Sequence, residues 1–356
     1  MPKLLYIGLK NDYGIPSRGF SFEYLNTYQT LINMRGIEAD LFPFDEVMRK
    51  LGRVKMNIQL LDLVESVKPD ICFFTLFTDE IMQSTIKQIS DNNVITLNWF
   101  GDDHWRFDSF SRHWAPLFSW SITTDRNAYQ KYKNIGLHNI ILCQWGFNHY
   151  LYQPSKSSYQ YDVTFIGQVH SRRIGFIESL RNSGINVECW GNGWPNGRID
   201  QREMIRIYSQ SRINLNFTDS SPDFKLKPLM KAIITRRADD SFRLNSLTEM
   251  KAHILTLFMP RTQQIKGRNF EIPGTGGFLI TQNAPGLDSY FRPEKEIVIF
   301  TGTEDLIEKV KFYLNNDEKR ENIRHNGHMR AVKEHSFQTR LESLFSAIGI
   351  TRPEKY

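Results

Sequence analysis

Cysteine is scarce in this chain of 356 residues: Cys72, Cys143 and Cys189 are the whole complement. Three thiols so far apart supply neither a disulfide framework nor a zinc site, and the odd number leaves one unpaired, as suits a reducing compartment. Long apolar runs are also missing. Nothing approaches the roughly 18 consecutive apolar residues that cross a bilayer, and the apolar part of Met1–Leu9 is shorter than a signal-peptide core. A cytoplasmic protein is expected. No Gly-Lys-Ser/Thr of the Walker type occurs, and the loop after the first apolar run lacks the G-x-G-x-x-G spacing, which sets aside P-loop and dinucleotide-binding readings. The net charge of +6 favours anionic partners without choosing among them. It carries no recognisable nucleic-acid reading module, so nucleic acid is not an expected partner.

What is present is the composition of a folded chain, 40% hydrophobic and 24% charged, long enough for two cores. Apolar runs alternate with helix-period segments. Leu4–Leu9, Ala39–Phe42, Asp70–Thr75, Val94–Trp99, Trp120–Thr123 and Asn139–Gln144 read as strands, with helices at Ser21–Met34, Ile58–Ser66, Glu80–Ser90 and Arg126–Asn134 between them. Strands apolar on both faces, alternating with helices, imply a parallel sheet covered on both sides. After a polar, proline-marked stretch at Tyr150–Tyr159, the alternation restarts with Val163–Ile166, Asn186–Trp190, Ile213–Phe217, Phe278–Thr281 and Ile297–Phe300. Two Rossmann-like domains follow, 1–155 and 160–332, with a terminal helix about 336–356. A segment about 222–262 reads as two helices packed on the second domain. Its basic stretch 225–243 is either a solvated face or a peripheral membrane contact.

Two constellations carry chemistry. In the second half, Arg268-Asn-Phe-Glu271-Ile-Pro-Gly274-Thr-Gly276-Gly277 sets a carboxylate before a glycine turn and an apolar strand. Small residues there admit a ligand's close approach, amides at such a turn bind phosphate oxygens, and a carboxylate one turn away accepts a ribose diol. An ordinary glycine turn with a helix-start Glu is the competing reading. In the first half, Asp102, Asp103 and His104 end a strand, where a doubly wound sheet lines its ligand crevice. They are candidates for accepting an acceptor proton or binding sugar hydroxyls, against a capped turn with solvated acids. One local cluster without distant ligands does not make a metal site. The loop containing Gly14, Ser17, Arg18 and Gly19 leads from the first strand into a helix. It is a floor for phosphate or acceptor, or a plain strand-to-helix turn.

The Glu271 segment resembles the nucleotide-sugar element of retaining GT-B glycosyltransferases, particularly the CgeB-like group. Asn139-Ile-Ile-Leu-Cys-Gln-Trp-Gly146-Phe-Asn148 through Pro154 is similar to that fold's interdomain passage, and Asp162–Gly167 with Arg172 and Arg173 to the strand and basic loop opening its nucleotide domain. Ile207–Phe217 resembles the helix and strand between them. The resemblance implies an α/β GT-B fold, two Rossmann-like domains facing across a cleft with a C-terminal helix crossing back. The implied activity is transfer of a sugar from a UDP- or GDP-type donor to a glycan, lipid or protein acceptor, retaining and metal-independent, with no cofactor. Glu271 would hold the ribose, Arg268, Lys266 and Arg172 the pyrophosphate, and Trp190 with Gly191 would lie by the nucleobase. Gln263 stands where many family 4 enzymes carry a Glu, so a non-catalytic nucleotide-sugar binder on the same fold remains an alternative.

Overall fold

The computed structural model describes residues 1–155, 158–219, 232–257 and 263–350. It divides into two units: Met1–Gln144 with the described parts of 224–260 and 340–350, and Trp145–Asp223 with the described remainder up to Thr339.

The first unit is built on six parallel strands, β1 (Lys3–Gly8), β2 (Glu38–Pro43), β3 (Ile71–Phe74), β4 (Ile95–Phe100), β5 (Trp120–Thr123) and β6 (Ile140–Leu142), in spatial order β2-β1-β3-β4-β5-β6. Register places Ile7 beside both Phe42 and Phe74, and Asn98 beside Ser121. All four residues of β3 are buried, as a central strand covered on both faces requires. The covering helices are α1 (Phe44–Val67), α2 (Gln83–Asp91) and α3 (Arg126–Asn134). Local signals set their ends. Asp125 caps α3 by accepting from the Ala128 amide at 2.7 Å, and α1 bends at Gly52, whose φ of 76° few other residues adopt.

The second unit has five parallel strands, β7 (Tyr161–Ile166), β8 (Val187–Trp190), β9 (Ser211–Asn216), β12 (Leu279–Gln282) and β13 (Val298–Phe300), ordered β13-β12-β9-β7-β8. Its helices are α4 (Ser171–Asn182), α5 (Gln201–Gln210), α7 (Arg268–Gly274), α8 (Thr303–Leu314) and α9 (Asp317–Glu334). Asp200 caps α5 through the Glu203 amide at 2.8 Å. A last helix, α10 (Phe337–Ala347), carries the chain back into the first unit from Arg340 onward. No described helix is long and apolar enough to cross a membrane.

Two expectations are corrected. The boundary falls at Gln144 rather than near 155, because Phe147 and Tyr152 are buried in the second unit's core. The segment expected as two helices on the second domain belongs to the first unit. Where described it holds helical residues at Ala232 and Ile233, then an antiparallel hairpin, β10 (Ile234–Arg236) with β11 (Phe242–Leu244), and the helix α6 (Leu247–Leu257), so the hairpin between helical segments is what the periodicity did not show. The hairpin turn is what anchors it. Arg237 forks onto Asp79 at 2.8 and 2.9 Å, and fully buried Ala238 donates its amide to Glu80 at 3.0 Å. Leu226, Leu229 and Met230, which carried the helical spacing, lie outside the described residues, as do Lys225, Lys227 and Lys231. The described arginines of the basic stretch, Arg236, Arg237 and Arg243, are each ion-paired, so they do not form a free basic face.

Candidate functional site

In the second unit the predicted motif occupies α7 and the turn into β12. Glu271 has no exposed surface. Arg268 Nη1 and the Tyr152 hydroxyl donate to its two oxygens, and Gln201 Nε2 donates to the Tyr152 oxygen. Burial and the neighbouring Glu271 charge hold the Tyr152 phenol far above its ordinary pKa, so it stays a neutral donor. Burial works against the Arg268 charge, but Glu271 outweighs it and the guanidinium is raised above its ordinary value. Arg268 is therefore the counter-ion of Glu271 and does not stand with the other cations. A carboxylate oxygen keeps a second lone pair, but with no exposed surface Glu271 is open to an outside donor only when Arg268 or Tyr152 shifts.

Two of the three glycines are explained by packing against protein. A Cβ on Gly274 would meet the Phe147 ring at 2.4 Å, and one on Gly277 the Asn214 side-chain nitrogen at 2.9 Å. Gly276 takes φ 72° at the turn, and its carbonyl accepts from Arg324 at 2.8 Å. At Gly274 and Gly277 protein atoms already fill the room that the sequence-based expectation leaves for a ligand, whereas at Gly276 a Cβ would meet Pro154 only at an ordinary 3.5 Å. Trp190 likewise is buried, edge-on to Tyr161 with ring centroids 5.4 Å apart, and offers no free face for a base. Gly191, at φ 129°, brings the loop after β8 against the loop after β7; a Cβ there would lie 2.2 Å from the Gly167 carbonyl. Gly191 is thus a close-packing requirement between two loops.

Lys266 and Arg172 do come together, and on a residue that sequence reasoning missed. Arg172 Nη1 pairs with Asp219 Oδ1 at 3.2 Å, while Lys266 Nζ donates to the Asp219 carbonyl at 2.9 Å. Arg173 donates to that carbonyl at 3.4 Å and to the Gln168 carbonyl at 2.8 Å. Asp219 is nearly buried, and its Oδ2 has no hydrogen-bond partner among the described residues. It lies just beyond β9, a carboxylate at the carboxyl end of a central parallel strand, which was the available signal. Gln263 bridges to Asp219 as a one-pair antiparallel extension, so this position is held by backbone whatever its side chain does.

In the first unit the three adjacent candidates diverge because a helical turn starts at Asp103. Asp102 is exposed. Asp103 turns inward to accept from the Tyr132 hydroxyl at 3.1 Å, and burial pushes its carboxyl up to about 7. It belongs to the core rather than to a crevice, correcting its candidacy for contact with a substrate. His104 is half-buried. Asp102 instead joins Asp12 and Glu23 from the loop and helix after β1: burial, then the charges of Asp102 and Asp12, push Glu23 up to about 7. Glu23 was also missed; as a lone acid in a helix-period segment it gave no signal. Of the loop itself, Gly14 is buried against the hairpin, where a Cβ would come 2.3 Å from the Ala238 carbonyl. Ser17, Arg18 and Gly19 are exposed, with Arg18 5.3 Å from the Tyr13 ring centre. Ser21, not the glycines, closes the helix start, accepting from the Tyr24 amide at 3.0 Å. Among the described residues no group of three His, Cys, Asp or Glu is placed to hold a metal.

Residues 172–346 match the family model described as glycosyl transferase-like. The spore protein CgeB of Bacillus subtilis is 22% identical over 276 residues, 75% of this chain and 79% of CgeB. Sucrose-phosphate synthase from Thermosynechococcus elongatus superposes with a TM-score of 0.62 at 10% identity, over 98% of this chain and 99% of that one. Anabaena HepE, solved with UDP, gives 0.57 at 10% identity over 98% and 100%. Together with the two parallel sheets, these matches show a GT-B fold whose second half is similar to glycosyl transferase-like proteins and which resembles CgeB along most of its length.

Proposed function

We propose that this protein moves a glycosyl residue from a nucleoside-diphosphate sugar, of UDP or GDP type, to an acceptor hydroxyl on a glycan, lipid or protein, in the cytoplasm and with retention. The donor is held on the second unit and the acceptor on the first. The observation that carries the reading is the convergence of Arg172, Arg173 and Lys266 on Asp219. Cations held in place by one residue, Arg172 on its carboxylate and Arg173 and Lys266 on its backbone carbonyl, are a preorganised cradle for a diphosphate, which takes over from the carboxylate at Arg172. HepE has been solved with UDP and with UDP-glucose, which supports UDP among the donors.

As the bond from the anomeric carbon to the phosphate oxygen breaks, charge grows on the departing diphosphate, and these side chains stabilise it without a metal. The acceptor oxygen forms the new bond to the anomeric carbon and gives up its proton. Asp102, and Glu23 beside it with a pKa near neutrality, stand ready for that proton. The second reading, a binder without turnover, rests on Gln263.

The test is donor hydrolysis across UDP-, GDP-, ADP- and TDP-sugars with the wild type, Glu271→Ala and Asp102→Asn. We expect slow sugar release from one nucleotide class, absent in Glu271→Ala and lowered at least tenfold in Asp102→Asn. Nucleotide-sugar binding with no release, even with added glycans, selects the binder; no binding by any nucleotide overturns both.

A further inference from the structure

A second polar site lies in the first unit, where nothing in the proposed chemistry uses it. A pocket of about 460 Å³ lies where the hairpin and α6 meet the loop after β3 and the helical stretch after β4. That volume suits a monosaccharide carrying a charged group. Its wall is two-sided: Arg53, Asp79 and Ser109 come from the sheet side, Arg243, Thr248 and Glu249 from the excursion. Without the hairpin and α6 the pocket would lose Arg243, Ser246, Thr248 and Glu249 from its lining.

The wall is rich in donors. Asp79 is approached by three guanidiniums at once: Arg237 at 2.8 Å, Arg243 at 3.2 Å and Arg53 at 3.5 Å. Arg243 also forks onto Glu249 at 2.6 and 2.9 Å, and Arg53 Nε donates to the Asp79 carbonyl at 2.8 Å. Arg106 interacts electrostatically with Glu80 and Arg243 of this network and with Asp102. On the pocket wall itself Arg53 and Arg243 stand against Asp79 and Glu249, so the formal charges balance and what the wall offers is guanidinium donors. Each guanidinium has five donors, more than these contacts engage. Ser109 supplies the independent sign of a ligand. It lines the pocket, is only 3% exposed, and its hydroxyl has no hydrogen-bond partner among the described residues. A buried hydroxyl left unmatched is unfavourable unless something else meets it.

We propose that this pocket binds an oxyanion, a phosphate or carboxylate, borne by a sugar, with Arg53, Arg243 and Ser109 as its donors. That the anionic sugar is the acceptor rests on the transferase reading above and on Arg106 joining this network electrostatically to Asp102; the binding itself does not. The carboxyl ends of β3 and β4, from which the sheet-side wall springs, are where parallel sheets hold ligands.

The experiment is calorimetric titration of the full chain with glucose 6-phosphate, glucuronate and glucose, with and without saturating UDP. At least one anionic sugar should bind at least tenfold tighter than glucose, and which one does tells phosphate from carboxylate. Arg53→Gln and Ser109→Ala should each weaken it at least fivefold, and Arg172→Gln should leave it unchanged. Thr248→Asp, at an exposed rim position that leaves the fold intact, should weaken it several-fold by repulsion. Equal binding of glucose, no anionic sugar bound at millimolar concentration, or loss in Arg172→Gln without loss in Thr248→Asp overturns the proposal. UDP binding without anionic-sugar binding removes this pocket alone; the reverse leaves the pocket standing and removes the donor assignment.

Discussion

The two units share a parallel α/β design but each holds a pair of carboxyls that is treated in the opposite way to the other's. In the second, Glu271 is matched by Arg268 and Asp219 by Arg172, so burial and counter-charge go together. In the first, buried Asp103 and half-buried Glu23 make no ion pair among the described residues, and burial pushes their carboxyls up to about 7. The first arrangement keeps positive charge fixed where a leaving diphosphate needs it. The second keeps acids near the midpoint of their titration, where proton transfer is easiest in either direction. One fold thereby separates anion holding from proton handling.

The largest effect that would break this contrast is at the matched pair. Glu271→Ala leaves the Arg268 charge without its partner, and urea unfolding should show a loss of about 3–5 kcal/mol. Glu271→Ala with Arg268→Met should recover most of that stability while nucleotide binding stays lost. A single variant as stable as the wild type would mean that the pair is not structural. On the other unit the sign is reversed. The folded-state pKa of Asp103 is raised from an ordinary 3.8 to about 7, so its burial weakens the fold progressively as pH rises from about 4 to 7. Asp103→Asn should equal the wild type near pH 4 and exceed it by roughly 3 kcal/mol at pH 8, with transfer activity retained. Equal stabilities at both pH values would remove the claim of a neutral, core-facing acid.

Smaller effects sharpen the packing side of the account. Gly274→Ala drives a methyl into the Phe147 ring and should cost about 1–3 kcal/mol by thermal unfolding, with partial rescue by Phe147→Leu. An unchanged melting temperature would instead favour the glycine as a ligand contact. Smallest is Glu249, whose carboxyl burial would raise but which Arg243 and the Ser246 amide draw down to about 2. Its depressed pKa stabilises the fold above about 4.5 and that contribution is lost as pH falls through about 2. Glu249→Gln should flatten this part of the acid profile, by about 1 kcal/mol after solvent screening.

Much of the fold was legible because it depends on local patterns. Trp120–Thr123 and Arg126–Asn134 occur with the boundaries their apolar runs and caps imply, since fully buried strands tolerate little but apolar residues. Helix α9 was not read: half of its 18 residues are charged, and only Arg320, Ile323, Gly327 and Ala331 are buried. The hairpin was unreadable for another reason. Its position depends on Arg237 finding Asp79 across 158 residues of chain, a pairing that periodicity does not encode. The site was legible in its residue types more than in its partnerships. Glu271 and Lys266 were found from their motif, but the motif does not say that Tyr152 would cap the one or Asp219 gather the other, since both contacts depend on tertiary placement.

The contrast between the units is tested most directly by equilibrium binding of UDP and GDP to the wild type, to Arg172→Met with Lys266→Met, and to Asp102→Asn. The account predicts that one nucleotide binds the wild type and Asp102→Asn within twofold of each other and the doubly substituted protein at least tenfold more weakly. Undiminished binding without Arg172 and Lys266, or binding lost with Asp102, would contradict it.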